Sequence, residues 1–127
     1  MQTILLIESN NAILENFTEY LELEGFHVLG AKNGMHGIEM AQEFLPDLII
    51  SEIILIESDG YAVLQLLLAA PQTFGIPFIF CTTKSEKKDK QQAMQLGADD
   101  FIVKPNSMDL MCTMARHWIK SGSKRVA

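Results

Sequence analysis

Short apolar runs alternate with amphipathic segments along the whole chain. The apolar runs predict five strands, at Thr3–Ile7, His27–Ala31, Leu48–Ser51, Phe78–Cys81 and Phe101–Val103. The other segments predict five helices, near Asn11–Glu24, Met35–Phe44, Tyr61–Ala70, Glu86–Leu96 and Ser107–Lys120. Several strands lack polar alternation, which is expected when helices cover both faces of a parallel sheet. The pattern therefore predicts an α/β fold with a doubly wound parallel sheet.

Glycines and capping residues mark the ends of these elements. Gly25 follows the first predicted helix and Gly97 follows the fourth, as is common at helix C-termini. Ser85 is the expected N-cap of the fourth helix, and Asn106 or Ser107 that of the last. Five βα units in 127 residues match a flavodoxin-like sandwich. We expect one domain over residues 1–121 and a short C-terminal tail over 122–127.

Composition narrows the class of protein. The formal net charge of −6 argues against a protein that binds the nucleic-acid backbone, and the basic segment Lys120–Arg125 is expected to be a solvated end. The apolar runs are far shorter than the ~20 residues that span a bilayer. The two cysteines, Cys81 and Cys112, favour a reducing compartment over a disulfide framework. We therefore expect a cytoplasmic protein that binds neither nucleic acid nor membranes.

Polar side chains follow four of the predicted strands. They are Glu8 and Ser9 after the first strand, Glu52 after the third, Thr82 and Thr83 after the fourth, and Lys104 after the fifth. In an open parallel sheet, binding sites form at the carboxyl ends of the strands, near the switch in strand order. Carboxylates, hydroxyls and one lysine are therefore expected to converge there from distant parts of the chain.

Over nearly its full length, the chain resembles the receiver domains of response regulators. The matching segments are Ile4–Ser9, Asn33–Gly34, Pro46–Glu52, Asp59–Tyr61, Pro77–Thr82, Gly97–Phe101 and Lys104–Pro105. The run Gly-Ala-Asp-Asp, an aromatic residue and then Lys-Pro is highly specific when it follows the other segments in order. The resemblance implies a role in two-component signal transduction and a cis peptide bond before Pro105.

Several positions depart from the family's pattern. The resemblance implies two acidic Mg²⁺ ligands after the first strand, where this chain has Glu8 and Ser9. It implies a phosphoacceptor aspartate where this chain has Glu52. The proline usual four residues later is Ile56, and the aromatic residue usual after Lys-Pro is Asn106. The acceptor and part of the metal site are therefore altered.

The switch residues that the resemblance implies are mostly kept. Thr82 stands where the family has the threonine that senses the phosphoryl group. Lys104, followed by Pro105, stands where it has the lysine that pairs with that group. Phe101 occupies the aromatic switch position but has no hydroxyl with which to make the contacts of a tyrosine.

These changes disfavour phosphorylation. Mg²⁺ usually takes one or two carboxylates together with water, so Glu8 and Glu52 leave weak Mg²⁺ binding open. The extra methylene of Glu52 moves an acceptor oxygen by more than ~1 Å, a misplacement that costs on the order of 10²-fold in rate. The longer side chain is instead able to form a permanent ion pair with Lys104. That pair either mimics part of the phosphorylated state or only satisfies the lysine.

The last predicted helix carries a broad apolar surface. Met111, Ala115, Trp118 and Ile119 share one stripe and are expected to face the sheet. Leu110 and Met114 lie on a neighbouring stripe that should be partly exposed. The resemblance implies a partner or dimer surface on the fourth helix, fifth strand and fifth helix. The two residues suit such an interface, although a broad buried stripe explains them nearly as well.

We therefore predict a pseudo-receiver, not an enzyme, that acts through protein–protein contact without phosphorylation and needs no cofactor. The expected partner is a sensor kinase, a phosphotransfer protein, an effector or a second copy of the chain. Two alternatives stay open. One is a conventional Mg²⁺-dependent phosphoacceptor with a divergent site, and the other is a small-ligand sensor that uses the same crevice.

Overall fold

The computed structural model describes residues 1–105 and 108–125. The strands are β1 (Thr3–Ile7), β2 (His27–Ala31), β3 (Leu48–Ser51), β4 (Phe78–Thr82) and β5 (Asp100–Val103). The helices are α1 (Asn11–Leu23), α2 (Gly34–Phe44), α3 (Gly60–Leu68), α4 (Pro71–Phe74), α5 (Lys87–Leu96) and α6 (Met108–Ser121). The strands form one parallel sheet in the order β2-β1-β3-β4-β5, which confirms the predicted doubly wound fold. None of the helices in the described residues is long and apolar enough to cross a membrane.

Each face of the sheet has its own core, because successive residues of a strand point to opposite faces. One core lies under α2, α3 and α5 and includes Leu5, Ile7, Ile49, Phe78 and Phe80. The other lies under α1 and α6 and includes Ile4, Leu6, Leu48, Ile50 and Ile79. Burial on both faces explains why these strands read as continuous apolar runs.

The third helix ends earlier than predicted. We expected it to reach Ala70, but α3 ends at Leu68 and the short helix α4 begins at Pro71. Proline lacks an amide hydrogen and fits the first turn of a helix better than its interior. The hydroxyl of Thr73 donates to the carbonyl of Leu67 over 2.6 Å and fixes the joint between the two helices.

The predicted helix caps were partly right. Gly25 and Gly97 adopt left-handed φ angles of 98° and 112° after α1 and α5, as expected of C-terminal glycines. Ser85 does not cap α5. The N-cap is Glu86, one residue later than predicted. Its amide donates to the Asp89 carboxylate over 3.1 Å, so this end of the helix has a hydrogen-bond partner. The expected caps of the last helix, Asn106 and Ser107, lie outside the described residues.

The C-terminal segment is not the solvated end that we expected, at least through Arg125. The Arg125 guanidinium lies 2.9 Å from the Asp99 carboxylate, and the two side chains are 8% and 0% exposed. It also donates to the carbonyls of Gly97, Phe74 and Ile76. Arginine can do this because its planar group carries five donors in a fixed fork. The segment therefore docks at the amino-terminal edge of β4 and β5.

Asp99 is the acceptor that holds this clasp together. Besides Arg125, its carboxylate accepts from the amide of Phe78 (2.9 Å), the hydroxyl of Ser123 (2.9 Å) and the amide of Lys124 (3.0 Å). A fully buried carboxylate needs such partners, since an unpaired buried charge is strongly destabilising. The division of the chain at residue 121 remains a prediction.

Replacing Arg125 should show how far the stability of the fold depends on its contact with Asp99. We expect Arg125→Ala to lower the free energy of unfolding by about 3–5 kcal/mol, because it leaves the Asp99 charge buried without its cationic partner. Arg125→Lys should recover only part of the loss, because an ammonium cannot reproduce the fork. Urea denaturation would measure both. The control is Lys124→Ala, which keeps the backbone bond to Asp99; equal stability of the Arg125→Ala and Lys124→Ala proteins would contradict the clasp.

Candidate functional site

The strand register brings the predicted site residues together at the carboxyl edge of the sheet. Ile7 pairs with both Ala31 and Ser51, so Glu8 and Glu52 leave neighbouring strands at the same level. The amide of Glu52 donates to the carbonyl of Ile7 over 3.0 Å, which continues this alignment past the strands. On the other side of β3, the amide of Lys104 donates to the carbonyl of Thr82 over 2.7 Å. The strand order β1-β3-β4-β5 therefore places Glu8, Glu52, Thr82 and Lys104 along one crevice.

Lys104 lies between two carboxylates. Its Nζ is 2.5 Å from Oε1 of Glu8 and 3.0 Å from Oε1 of Glu52. The side chains of Lys104, Glu8 and Glu52 are only 8%, 10% and 6% exposed. The expected ion pair between Glu52 and Lys104 is present, and Glu8 adds a second pair that the sequence did not indicate. Three charges are thus held almost out of water, with a formal sum of −1.

The second oxygen of each carboxylate is also satisfied. Oε2 of Glu52 accepts from the amides of Ile53 (2.6 Å) and Ile54 (3.2 Å). Oε2 of Glu8 accepts from the amide of Asn10 over 3.1 Å. Burial of a carboxylate is tolerated when its lone pairs are met by donors of this kind. Both glutamates are therefore fixed by one backbone-facing oxygen and one lysine-facing oxygen.

Ser9 anchors the loop between β3 and α3. Its hydroxyl accepts from the amide of Ile56 over 3.0 Å, and Ile56 also forms an isolated bridge with Asn33. From sequence we assessed Ser9 only as a missing metal ligand. Its partner lies 47 residues away along the chain, and no local pattern around either residue indicates the contact.

Thr82 and Phe101 are both buried, and among the described residues neither side chain forms a hydrogen bond with the ionic group. The Thr82 side chain, on a residue with 0% exposure, accepts from the amide of Lys84 over 3.2 Å. Phe101 is 8% exposed and belongs to the core under α2, α3 and α5. The peptide bond between Lys104 and Pro105 is cis, as the resemblance implied.

The oxygens of this site do not suit Mg²⁺ as they are arranged. That ion prefers near-octahedral oxygen ligands, including water. Both oxygens of Glu8 and both of Glu52 already accept hydrogen bonds, as does the hydroxyl of Ser9. Within the described residues, no three acidic, histidine or cysteine side chains are grouped as metal ligands. A metal would therefore compete with Lys104 and the backbone amides for these oxygens.

The charges around Lys104 also set its protonation. Burial on its own lowers the pKa of Lys104, but its hydrogen bonds to Glu8 and Glu52, together with their negative charges, outweigh that effect. The net result is a pKa above the usual value of 10.5. The folded protein therefore holds the Lys104 proton more tightly than the unfolded chain does. The ion pairs of Lys104 stabilise the fold fully below the unfolded pKa, and this stabilisation is lost as the pH rises through the folded pKa.

Replacing the lysine should therefore have two effects. At neutral pH, Lys104→Met should lower the free energy of unfolding by about 3–5 kcal/mol, because Glu8 and Glu52 remain buried without a cation. Above about pH 10.5 the difference from the original protein should shrink, since Lys104 then contributes less. Urea denaturation across pH 7 to 11 would measure both effects. Lys90→Met, on the exposed face of α5, is the control; a Lys104→Met difference that stays constant with pH would contradict this account.

The exposure of the last helix follows the prediction. Leu110 is 48% exposed, and Met114 is half-buried against the core under α1 and α6, so both residues are partly exposed. Met111 and Ala115 are buried and face the sheet, as predicted. On the surface formed by α5, β5 and α6, the described residues include two large exposed apolar side chains, Leu110 and Val103.

Comparison with known proteins gives consistent matches. The family model for the response regulator receiver domain matches residues 4–116. The chain is 34% identical over 116 residues to the DNA-binding dual master transcriptional regulator RpaA of Synechocystis, covering 91% of this chain and 48% of that protein. It is 31% identical to the protein PilH of Pseudomonas aeruginosa, covering 83% of this chain and 87% of PilH. The chain thus spans about half the length of RpaA but most of PilH.

Solved structures agree in fold. The signal receiver domain of a signal transduction histidine kinase from Syntrophus aciditrophicus superposes with a TM-score of 0.88 at 30% identity, over 100% of this chain and 96% of that one. The chemotaxis response regulator CheY4 of Vibrio cholerae superposes with a TM-score of 0.84 at 25% identity, over 91% of this chain and 98% of that one.

Proposed function

Because this chain belongs to the response regulator receiver domain family, we propose that it is a pseudo-receiver: a receiver that signals through protein contacts and takes no phosphoryl group. The observation that carries the proposal is the position of Lys104 between Glu8 and Glu52. The lysine that would pair with a phosphoryl group is already neutralised by two side chains of the protein itself.

Two further features support the same interpretation. The Glu52 oxygen that faces away from Lys104 accepts from two backbone amides and the other oxygen accepts from Lys104, so hydrogen-bond donors hold the carboxylate in place on both sides. Ser9 supplies a hydroxyl to the loop instead of a carboxylate to a metal. Phosphoryl transfer depends on the position of the acceptor oxygen and on neutralisation of the phosphoryl charge. In this chain the acceptor-position carboxylate bonds backbone amides, and the lysine bonds carboxylates of the protein.

The contacts favour a fixed ionic group over a full mimic of the phosphorylated state. A mimic would engage both the lysine and the threonine of the switch. In the described residues Glu52 bonds Lys104, whereas the Thr82 hydroxyl accepts from the amide of Lys84. A carboxylate also brings one charge and two oxygens, against nearly two charges and three oxygens for a phosphoryl group. We infer a single conformation at the site, with Thr82 disengaged from the acceptor position.

A receiver of this kind would act by binding another protein. The proposed partner is a signalling protein, either a sensor kinase, a phosphotransfer protein or an effector. Binding would then be regulated by the amount of each protein, and not by a cycle of phosphorylation.

The proposal predicts a clear difference between this chain and a variant that restores the family's residues. With Mg²⁺ and acetyl phosphate, the original protein should show no phosphate adduct by intact mass spectrometry. The double variant Ser9→Asp with Glu52→Asp should gain one adduct, because it recovers the acceptor and a second acidic metal ligand.

The control for the double variant is Glu39→Asp with Ser85→Asp, which makes the same two substitutions at exposed positions. It should stay unmodified. An adduct of the folded original protein would contradict the proposal and favour a conventional phosphoacceptor. A double variant that folds, binds Mg²⁺ and still takes no phosphoryl group would show that Ser9 and Glu52 are not what blocks the reaction.

A further inference from the structure

An apolar groove lies between α2 and α3, away from the surface that the resemblance implied. Its lining includes Met35 and Ile38 of α2, Ile56 of the β3–α3 loop, and Ala62, Val63 and Leu66 of α3. Its volume is about 190 Å³. Met35, Ile56 and Leu66 are 65%, 60% and 56% exposed. We call this surface the α2–α3 groove.

The exposed apolar side chains of this groove exceed those of the usual receiver surface. Leu110 and Val103, on α5, β5 and α6, are 48% and 37% exposed. Two residues before Ile56, Ile54 adds a further side chain that is 58% exposed on the same loop. Clustered exposed apolar residues mark interaction sites, whereas single ones are normal. The distribution therefore favours the α2–α3 groove as the place where a partner binds.

The groove is held in shape by residues of the ionic site. Ser9 accepts from the amide of Ile56, and Glu52 accepts from the amides of Ile53 and Ile54. At its other end, the loop is fixed where Asp59 caps α3 by accepting from the amide of Ala62 over 2.8 Å. The loop that carries Ile54 and Ile56 is thus fixed at both ends, and a partner would meet a largely preformed surface.

Gly34 allows α2 to approach this loop closely. A Cβ atom on Gly34 would lie 2.2 Å from Oγ of Ser58 and 2.8 Å from Cγ2 of Val63. Any other residue type would force the side chains of Ser58 and Val63 to shift. The first turn of α2, which presents Met35, is therefore packed directly against the opposite wall.

The charge around the groove identifies the kind of partner. Glu57 lines the groove, and Glu39 lies one turn after Met35 on α2. None of the described residues that line it is a lysine or an arginine. The chain as a whole carries a formal charge of −6. A second copy of the chain would bring like charges together, whereas a basic segment would meet opposite ones.

We propose that the α2–α3 groove binds an amphipathic helix of a partner protein, with apolar residues on one face and lysine or arginine at its margins. A groove between two helices suits a third helix, which inserts apolar side chains three and four residues apart. This inference goes beyond the pseudo-receiver proposal and does not depend on it, because it concerns where a partner binds and not whether the site is phosphorylated.

The test uses the full chain labelled with ¹⁵N and two model peptides. One repeats Leu-Lys-Lys-Leu-Leu-Lys-Leu twice, and the other replaces each lysine with glutamate. We expect the lysine peptide to shift amide signals of α2, the β3–α3 loop and α3, and the glutamate peptide to shift none. Met35→Gln with Leu66→Gln should weaken binding at least about tenfold, because two apolar contacts are lost. Glu57→Lys should also weaken it, through repulsion.

The matched control is Leu110→Gln, a substitution of similar exposure on the opposite surface, which should leave the affinity unchanged. All substituted side chains are exposed, so the variants should retain the fold, and thermal unfolding would verify this. Equal binding of both peptides, shifts confined to α5, β5 and α6, or an equal loss in Leu110→Gln would overturn the proposal. Self-association through the groove without peptide would also overturn it, in favour of a dimer interface.

Discussion

The buried ammonium of Lys104 is the constraint on which the site depends. A lysine whose side chain is 8% exposed at the carboxyl edge of a parallel sheet must have anionic partners, because an unpaired charge there costs several kcal/mol. In this chain the partners are two glutamates, at 2.5 Å and 3.0 Å. These contacts hold all three charged side chains nearly out of water.

The same constraint extends into the neighbouring loop. Each glutamate uses one oxygen for the lysine and the other for backbone amides, so the ionic group also positions the start of the β3–α3 loop. Ser9, which replaces a potential metal ligand by family resemblance, fixes the loop further along at Ile56. The residues that changed from the family's pattern thus take part in a different network. That network ends at the exposed isoleucines that line or flank the α2–α3 groove.

Much of the fold could be predicted from local pattern, and the misses have physical causes. The strands and helices follow hydrophobic periodicity, which is a local property. The short helix Pro71–Phe74 was missed because four residues are too few to show a helical period. Glu86, and not Ser85, is the N-cap because the carboxylate of Asp89, one turn later, accepts from the amide of Glu86.

The contacts that sequence did not indicate join distant residues. Lys104 and Glu8 are 96 residues apart, and Arg125 and Asp99 are 26 apart. The sequence indicated the pair between Glu52 and Lys104, but proximity of the strand ends did not show that Glu8 would bond the lysine as well. Nothing in the basic C-terminal run distinguished a docked arginine from a solvated one. Only the assembled sheet edge supplies the three carbonyls and the carboxylate that Arg125 binds.

We propose that the carboxylates of Glu8 and Glu52 keep Lys104 engaged in place of a phosphoryl group. An amide NMR titration of the ¹⁵N-labelled chain with Mg²⁺ and beryllofluoride, which together imitate a bound phosphoryl group, tests this proposal. The signals of Thr82, Thr83 and Lys104 should not move at any concentration that leaves the protein folded. Saturable shifts at these three residues would contradict it, because they would show that Lys104 can still leave the glutamates for a phosphoryl group and that Thr82 can still engage one.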